Sequence, residues 1–380
     1  MQLLLKLVLA IILLLLIGTG TVLFSPLKQQ ALNELQMEAN GQLNKLITSA
    51  NSPLLSPLDA IEGRRPKVSY DPAAILNNEA LNQWIFKSQT EVLIIQHRRE
   101  IIYEYYSAKS NMGQAINSMS MAKNVIALLI GIAIDEGLIA STETDIRQYL
   151  PELVIPGNRS ISIRDLLNHL TGIQTGFDEL DKTLQGQPLT EQLSAISFDG
   201  DQQFRYNNIN YHLLSIILRR AYQQPLNQII HAKLWQPLNL EQAAVINSTG
   251  YCCLFATGRS WLALGELYLN KGSHNGLQVV PKKWIETMIT DSQYPNNFFV
   301  QTTGASKGNS YGYHIYGGLK NYPDSYWIEG MGLQVIFIDP SDETIILRLG
   351  GIPSFVRLNS NRRDEFLMED LMSLLEEMKR

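Results

Sequence analysis

A run of apolar residues extends from Val125 to Ile134 with almost no polar position. A helix that is apolar on every side is expected in the interior of a protein rather than on its surface. Asp135 and Glu136 return the chain to solvent, and Gly137 is a typical residue to follow the last turn of a helix. The pattern therefore predicts a buried central helix that begins near Ser120.

Strand-like patterns lie on both sides of this helix. Glu91–Ser107 has two apolar runs around a polar turn, which is typical of a β-hairpin. Nearer the C-terminus, short runs rich in β-branched and aromatic residues are Tyr311–Tyr316, Tyr326–Ile328, Leu333–Ile338 and Thr344–Leu349. The last two are joined by Asp339–Glu343, a hairpin loop.

The region between the two sets of strands, residues 138 to about 290, is predicted to be largely helical. Its clearest helical segments are Ile161–Thr171, Tyr211–Ala221 and Leu254–Leu269, and Arg363–Lys379 is predicted to be a closing amphipathic helix. The whole pattern predicts an α+β fold: an antiparallel sheet built from both terminal parts, flanked by helices, with an inserted mainly helical region.

Leu7–Phe24 is an unbroken run of 18 uncharged, mostly apolar residues, which is long enough to span a bilayer as a helix. No small-x-small cleavage site follows it, which favours an uncleaved anchor over a signal peptide. Lys6 and the amino terminus favour a cytoplasmic N-terminus. We therefore expect a bacterial-type inner-membrane protein whose catalytic domain lies on the outer, periplasmic side.

Four prolines between Asn51 and Pro72 indicate a linker. The chain is accordingly divided into an N-terminal membrane anchor or signal (1–24), a stalk or linker (25–70) and a folded domain (71–380).

The net charge of −5 and the lack of a basic stripe argue against a nucleic-acid partner. The two cysteines, Cys252 and Cys253, are neighbours, and the short Cα spacing across a trans peptide opposes a relaxed disulfide. We expect two small buried apolar side chains. No cofactor and no metal site are expected, and His169 and His212 are interpreted as histidines that form hydrogen bonds in the core.

Ser120 and Lys123 lie three residues apart at the start of the predicted buried helix, which places them on one side of its first turn. A serine hydroxyl becomes a good nucleophile when a base takes its proton. A lysine in an apolar site has a lowered pKa and can be that base. The alternative is that Ser120 is a helix cap and Lys123 a solvated charge.

A second pattern, Tyr206-x-Asn208, precedes another predicted helix. A tyrosine beside a lysine can relay protons toward the serine and the leaving group. The asparagine amide can donate to a substrate carbonyl and can also bond the lysine.

Taken in order, these stretches resemble the serine β-lactamase and penicillin-recognising superfamily, on its class C side, which includes esterases and 6-aminohexanoate-dimer hydrolases. Further matching stretches are Tyr149–Glu152, Ile161–Gly172, Ala256–Arg259 and Gly330–Gln334. The resemblance implies that Ser120 is acylated, that Lys123 and Tyr206 transfer protons and that Asn208 supports them. It implies an oxyanion hole from the backbone N–H groups of Ser120 and Met331.

One departure concerns the late strand, where many relatives carry Lys-Ser/Thr-Gly or His-x-Gly and this chain has Trp327–Gly330. If Glu329 faces the site, it repels an anionic substrate; if it faces solvent, it has no such role, and the sequence leaves both open. We expect a hydrolase for a small-molecule ester, amide or short peptide, neutral or cationic. The alternatives are a β-lactamase or D-amino-acid cell-wall peptidase, and a non-catalytic binding relative.

Gly308–Gly312 also matches Gly-x-Ser-x-Gly, the nucleophile elbow of α/β-hydrolases. That motif needs an apolar strand before it and a helix after it, and this sequence offers neither. A loop serine is the better interpretation of Ser310.

Overall fold

The computed structural model describes residues 59–65, 79–107, 112–157, 159–174, 189–198, 202–245, 250–291, 310–319, 322–351, 371–373 and 376. The predicted anchor Leu7–Phe24 and most of the predicted helix Arg363–Lys379 lie outside these residues. Within them, no helix combines the length and apolar character needed to cross a membrane.

The helices and strands alternate along the described chain. Up to residue 160 they are β1 (Asp59–Ile61), α1 (Glu79–Lys87), β2 (Thr90–His97), β3 (Glu100–Tyr106), β4 (Ile116–Asn117), the 3₁₀ turn Met119–Met121, α2 (Ala122–Asp135) and the 3₁₀ turn Ile146–Gln148. From there to residue 245 they are α3 (Ile163–Leu167), β5 (Ile173–Gln174), α4 (Leu189–Ser194), β6 (Ser197–Phe198), α5 (Asn208–Tyr222), α6 (Leu226–Ile230), the π-helical turn His231–Trp235 and β7 (Ala243–Val245). The remainder are β8 (Leu254–Ala256), α7 (Gly258–Leu269), β9 (Ser273–His274), β10 (Leu277–Gln278), α8 (Lys282–Thr290), β11 (Ser310–Gly312), β12 (Ile315–Leu319), β13 (Tyr322–Gly330), β14 (Gln334–Asp339) and β15 (Thr344–Gly350).

The largest sheet among the described residues has seven antiparallel strands in the order β11-β12-β13-β14-β15-β2-β3. Strand β15 pairs with β2, which places Ile346 opposite Ile95. Strands from both terminal parts thus form one sheet, and the predicted α+β fold is confirmed. The predicted hairpins Glu91–Ser107 and Asp339–Glu343 form its β2–β3 and β14–β15 corners.

Helix α2 runs through the interior, as its apolar sequence predicts, because every residue from Ala122 to Ala133 is buried. Gly131 lets the indole of Trp284 lie directly against the helix, since a Cβ at this position would overlap the ring. The indole Nε1–H of Trp284 donates to the carbonyl of Ala127 at 3.0 Å. Burial of each large aliphatic side chain here stabilises the fold by about 1.5–3 kcal/mol.

Helix α7 covers the other part of the sheet core at close range. A Cβ on Gly265 would lie 2.9 Å from Ile336 Cγ2 on β14, and one on Gly258 would lie 2.8 Å from Val92 Cγ1 on β2. Glycine at these two positions therefore allows the helix to pack close to the strands.

A second sheet, in the order β1-β7-β8-β4, lies beside the start of α2. Its first strand corrects the boundary of the predicted linker, because Asp59–Ile61 pairs with Ala243–Val245. The folded domain therefore begins before residue 70. The three-residue strand lies between prolines, so its sequence has a stronger linker pattern than strand pattern.

Two predicted helices differ in extent from those observed. The segment predicted as Ile161–Thr171 is helical only over α3, and His169 beyond it has a φ of +57°. The segment predicted as Leu254–Leu269 divides into β8 and α7, with the Thr257 hydroxyl as the helix cap. The predicted helix Tyr211–Ala221 is confirmed as part of α5.

The cysteine prediction is also corrected, because Cys252 and Cys253 are joined by a disulfide between neighbouring residues. The prediction rested on the short Cα spacing of neighbouring residues, which is 3.7 Å here, and Cys253 has a φ of +71°. Both residues still pack among apolar neighbours that include Phe255 and Ala115.

Candidate active site

Ser120 lies in the 3₁₀ turn that leads into α2 and is half-buried. The turn is held from two sides: the N–H of Met119 donates to Asn117 Oδ1 at 2.9 Å, and the N–H of Ser118 donates to the Leu254 carbonyl at 2.9 Å. Met119 has a φ of +50°, a conformation that costs a non-glycine residue energy and often marks a functional site. These contacts fix the serine at the mouth of the buried helix.

Lys123 is fully buried one turn later, and its Nζ lies 2.9 Å from Ser120 Oγ. The Nζ also donates to the backbone carbonyl of Tyr251 at 2.8 Å. Burial lowers the pKa of Lys123 well below its ordinary value, because the charged ammonium loses its hydration. The predicted Ser120–Lys123 contact is therefore present, with the amine in surroundings that favour its neutral, basic form.

Tyr206 completes the group of three side chains. Its hydroxyl is hydrogen-bonded to Ser120, and Lys123 Nζ lies 5.1 Å from the centre of its ring. Burial raises the pKa of Tyr206 above its usual value, and the negative charge of Glu329 raises it further. The phenol therefore keeps its proton at neutral pH and is available as a proton donor.

The end of strand β13 closes the site on the other side. Gly330 packs against the nucleophile turn so tightly that a Cβ would lie 2.9 Å from the Ser120 nitrogen. Met331 follows Gly330 at the start of the turn to β14 and has an exposed side chain. The backbone amides of Ser120 and of Met331 thus belong to two segments in direct contact, as an oxyanion hole requires.

Asn208 differs from its prediction in one respect. The hydrogen-bond partners of Lys123 are Ser120 and the Tyr251 carbonyl, so Asn208 does not bond the lysine. The Asn208 Oδ1 atom is buried and has no hydrogen-bond partner among the described residues. The helix cap is the preceding residue, Asn207, whose Oδ1 accepts from the Ile209 N–H at 2.8 Å.

Glu329 lies on the active-site side of β13 rather than in open solvent, which decides between the two interpretations of its sequence position. Its carboxylate accepts a hydrogen bond from Trp327 Nε1 at 3.1 Å, and its charge acts on the hydroxyl of Tyr206. The side chain is half-buried. A negative charge thus occupies the strand where many relatives carry a cationic residue.

Tyr251 is the main contributor to the site that the sequence did not indicate. Its carbonyl binds Lys123, and its ring centre lies 5.6 Å from Lys123 Nζ. A backbone carbonyl leaves no signature in a sequence, and Gly250 and Cys253 around it have positive φ angles that no motif predicts. His169, Tyr311 and His314 also lie close to Tyr206, and their ring centres are 4.6, 6.2 and 6.3 Å from its own.

A metal site and a second serine motif are the other candidates for chemistry in this chain. Among the described residues, no group of three or more His, Cys, Asp or Glu side chains is arranged to hold a metal ion. Ser310, the serine of the Gly-x-Ser-x-Gly match, begins strand β11, and strand β12 follows rather than a helix. Ser310 therefore lacks the strand-turn-helix surroundings of a nucleophile elbow.

Comparison with known proteins agrees with this geometry. The family model for Beta-lactamase matches residues 86–249, a segment that contains Ser120, Lys123 and Tyr206. The 6-aminohexanoate-dimer hydrolase of Paenarthrobacter ureafaciens is 23% identical over 343 residues, which cover 79% of this chain and 83% of that enzyme.

Two solved structures share the fold. A protein described as a 6-aminohexanoate-dimer hydrolase from Bacillus anthracis superposes with a TM-score of 0.67 at 17% identity, covering 85% of this chain and 92% of that one. A penicillin-binding protein from Bacillus halodurans superposes with a TM-score of 0.57 at 12% identity, covering 78% and 99%. The chain is therefore a serine hydrolase with a β-lactamase-like fold, similar to 6-aminohexanoate-dimer hydrolase.

Proposed function

We propose that this protein hydrolyses a small ester or amide through an acyl-enzyme on Ser120. The observation that carries the proposal is the 2.9 Å contact between Ser120 Oγ and the Nζ of Lys123, a lysine whose pKa is lowered by complete burial. A neutral amine at this distance can take the hydroxyl proton as the serine attacks.

In acylation, Lys123 takes the proton while Ser120 Oγ bonds to the substrate carbonyl carbon. The carbonyl oxygen becomes an oxyanion, which the N–H groups of Ser120 and Met331 stabilise. Tyr206 then gives its proton to the leaving alcohol or amine as the C–O or C–N bond breaks, and it regains a proton from Lys123. Water repeats these steps on the acyl-enzyme, which releases the acid and restores Ser120.

The strand beside the site supports a proposal for the substrate class. Glu329 places a negative charge near Tyr206, which disfavours a substrate carboxylate and favours neutral or cationic substrates. Similarity to an enzyme named for 6-aminohexanoate dimer supports a short linear amide or a simple ester. Asn208, two residues after Tyr206, is proposed to donate to the substrate carbonyl through its amide N–H.

The test uses the full chain in mild detergent. Intact-mass spectrometry after exposure to a fluorophosphonate should show one adduct, which is absent in Ser120→Ala. The same preparations are then given a chromogenic acetate ester, the linear dimer of 6-aminohexanoate and a fluorescent penicillin.

Turnover of the ester or the dimer, lost in Ser120→Ala, supports the proposal. Stable labelling by the penicillin without ester turnover would instead favour a D-amino-acid cell-wall peptidase, and rapid penicillin hydrolysis a β-lactamase. A well-folded protein that forms no adduct and turns over none of the three would be a non-catalytic binding relative.

We also propose that Leu7–Phe24 anchors the enzyme in a bacterial-type inner membrane with the catalytic domain on the periplasmic side. The proposal is supported by the length and the uncharged composition of this segment. Carbonate extraction should leave the full chain in the membrane fraction and release a chain that begins after residue 24. Protease added to spheroplasts should digest the domain, and an undigested domain would contradict this orientation.

A further inference from the structure

We propose that His169, Tyr311 and His314 form a positioning chain that couples the proton-transfer residue Tyr206 to the strand end bearing the second oxyanion donor. The inference rests on the proposed function, because it assigns these three residues a part in the reaction at Ser120. All three side chains are buried, and His169 lies far in the sequence from Tyr311 and His314, which are three residues apart.

One end of the positioning chain, His169, holds the loop that carries Tyr206. The carbonyl of His169 accepts from the N–H of Arg205 at 3.0 Å, and its Nδ1 accepts from the N–H of Asn207 at 3.2 Å. One histidine is thus bonded to the residues before and after Tyr206. The imidazole also packs against the Tyr206 ring, with 4.6 Å between the ring centres.

The hydrogen bonds of the positioning chain run from His169 toward Glu329, each group donating to the next. Because Nδ1 of His169 accepts a backbone N–H, its Nε2 carries the hydrogen and donates to Tyr311 Oη at 2.9 Å. At the far end His314 Nε2 faces the Glu329 carbonyl at 2.8 Å, and a carbonyl can only accept. His314 Nδ1 therefore faces the Tyr311 hydroxyl as an acceptor, at 3.3 Å, and the same hydroxyl is also hydrogen-bonded to Tyr211.

Both imidazoles are neutral in this arrangement, because each Nδ1 accepts a hydrogen bond and therefore carries no proton. Burial lowers the pKa of His169 and of His314 well below the ordinary histidine value. A network in which every group has its partner is rigid, and a single missing member leaves buried polar atoms unpaired.

The second end of the positioning chain, His314, lies just beyond the ladder between β12 and β13. The ladder between β12 and β13 pairs Tyr316 with Trp327, and the register would next place His314 opposite Glu329. There the His314 side chain binds the Glu329 carbonyl. This bond orients the peptide that leads into Gly330 and Met331, beside the Ser120 amide.

The backbone at both ends departs from ordinary geometry. His169 has a φ of +57° and His314 a φ of +58°. This left-handed conformation is unfavourable for a non-glycine residue, because Cβ comes close to the following carbonyl oxygen. Each imidazole forms hydrogen bonds through both ring nitrogens. The unusual backbone conformation directs the ring toward those partners.

The test compares Tyr311→Phe with Tyr268→Phe. Tyr311→Phe breaks the hydrogen-bonded positioning chain but keeps the aromatic ring. Tyr268 is an equally buried tyrosine whose hydroxyl donates to Asn124 Oδ1 at 2.8 Å. For the chromogenic ester we expect Tyr311→Phe to lower kcat by about tenfold or more with KM within about twofold. The rate at which a fluorophosphonate labels Ser120 should fall in parallel. Tyr268→Phe should keep both rates within about twofold of the unmodified protein.

A second pair of variants, both at His314, separates a positioning role from an effect on folding. His314→Leu removes the donor to Glu329 and should lower kcat further, whereas His314→Gln keeps an N–H at a similar reach and should recover kcat to within about threefold of the unmodified protein. Unfolding midpoints are measured for all four variants.

The proposal is overturned if Tyr311→Phe loses no more kcat than Tyr268→Phe, if its effect is on KM alone, or if His314→Gln is as impaired as His314→Leu. Failure of the proposed function looks different, because the unmodified protein would then neither label nor turn over ester. In that outcome the positioning role is lost with it.

Discussion

Gly330 faces Ser120 with no side chain between them. A Cβ on Gly330 would lie 2.9 Å from the Ser120 nitrogen and 3.1 Å from that of Met121, and it would overlap the carbonyl oxygen of Ser118. Real Cβ atoms do not approach backbone atoms so closely, and neither segment is a flexible side chain that could move aside. The spacing between the nucleophile turn and β13 is therefore set by the absence of a side chain at this glycine.

Gly330→Ala should separate the two segments that supply the oxyanion donors. We expect kcat/KM for a chromogenic ester to fall by about 100-fold or more, the usual cost of losing one oxyanion-hole donor. Gly276→Ala is a control in a remote turn, where a Cβ meets no atom within 4 Å but φ is +80°. It should lower stability by about 1 kcal/mol and leave the kinetics unchanged. Equal kinetics in both variants would show that the close contact at Gly330 is not needed.

The burial of Lys123 predicts how stability depends on pH. Its pKa is lowered in the folded state, so between that pKa and the ordinary value of 10.5 the unfolded chain binds one more proton than the folded one. The free energy of unfolding should then rise with pH by up to about 1.4 kcal/mol per unit.

Lys123→Met removes this dependence. Urea unfolding at several pH values between 7 and 10 should show the native protein gaining stability relative to the variant as the pH rises. Parallel curves would mean that Lys123 stays charged when folded. The variant should also be inactive toward the ester at every pH, because the base is missing.

The value of kcat/KM should also depend on pH. Activity requires neutral Lys123, so kcat/KM should increase as the pH rises through a pKa well below 10.5 and then level off. The pKa of Tyr206 is raised, so its proton is retained and no decline is expected below about pH 10. A profile with a maximum near neutral pH and a decline by pH 8.5 would contradict this assignment.

Removing the Tyr206 hydroxyl tests the same residue directly. Tyr206→Phe should lower kcat by about 100-fold or more, the typical contribution of a positioned proton donor. The loss should be smaller for esters of acidic phenols, because their leaving groups need no proton. Comparison of p-nitrophenyl acetate with ethyl acetate measures this difference. An equal loss on both esters would indicate that Tyr206 has another role.

Arg348 holds the turn between β13 and β14. Its buried guanidinium donates to the carbonyls of Leu333 at 2.9 Å and Gly351 at 2.8 Å, and to Thr90 Oγ1 at 3.1 Å. Arg348→Met leaves several buried carbonyls without donors and should cost at least about 2 kcal/mol of unfolding free energy in urea. Arg147→Met, which breaks an exposed pair with Asp145, should cost less than about 1 kcal/mol. Similar losses in both would contradict a structural role for Arg348.

The sequence predicted the parts of the site that depend on local spacing. Ser120 and Lys123 are one helical turn apart, so their contact follows from helix geometry, and the apolar run after them accounts for the burial of the lysine. Tyr206 was predicted from its place in an ordered set of motifs, and the structure brings its hydroxyl to Ser120. The antiparallel sheet followed from period-two patterns at both ends of the chain.

The features that escaped prediction depend on backbone atoms and unusual φ angles. The Lys123 partner on Tyr251 is a carbonyl, which every residue has. His314 contacts a carbonyl on another strand from a left-handed turn, and histidine at a positive φ has no pattern in sequence. The disulfide between Cys252 and Cys253 likewise depends on the positive φ of Cys253.

The pairing of β15 with β2 has a consequence for when the enzyme becomes active. These strands lie side by side in the sheet although most of the chain separates them. Closing so long a loop costs conformational entropy before the strand contacts compensate for it, so this pairing is expected to form late. A nascent chain that ends before Gly350 lacks the strand that joins β2 and β3 to β14. Ester or amide cleavage should therefore begin only after synthesis of the whole sheet, which prevents a partly made chain from attacking substrates during its own biogenesis.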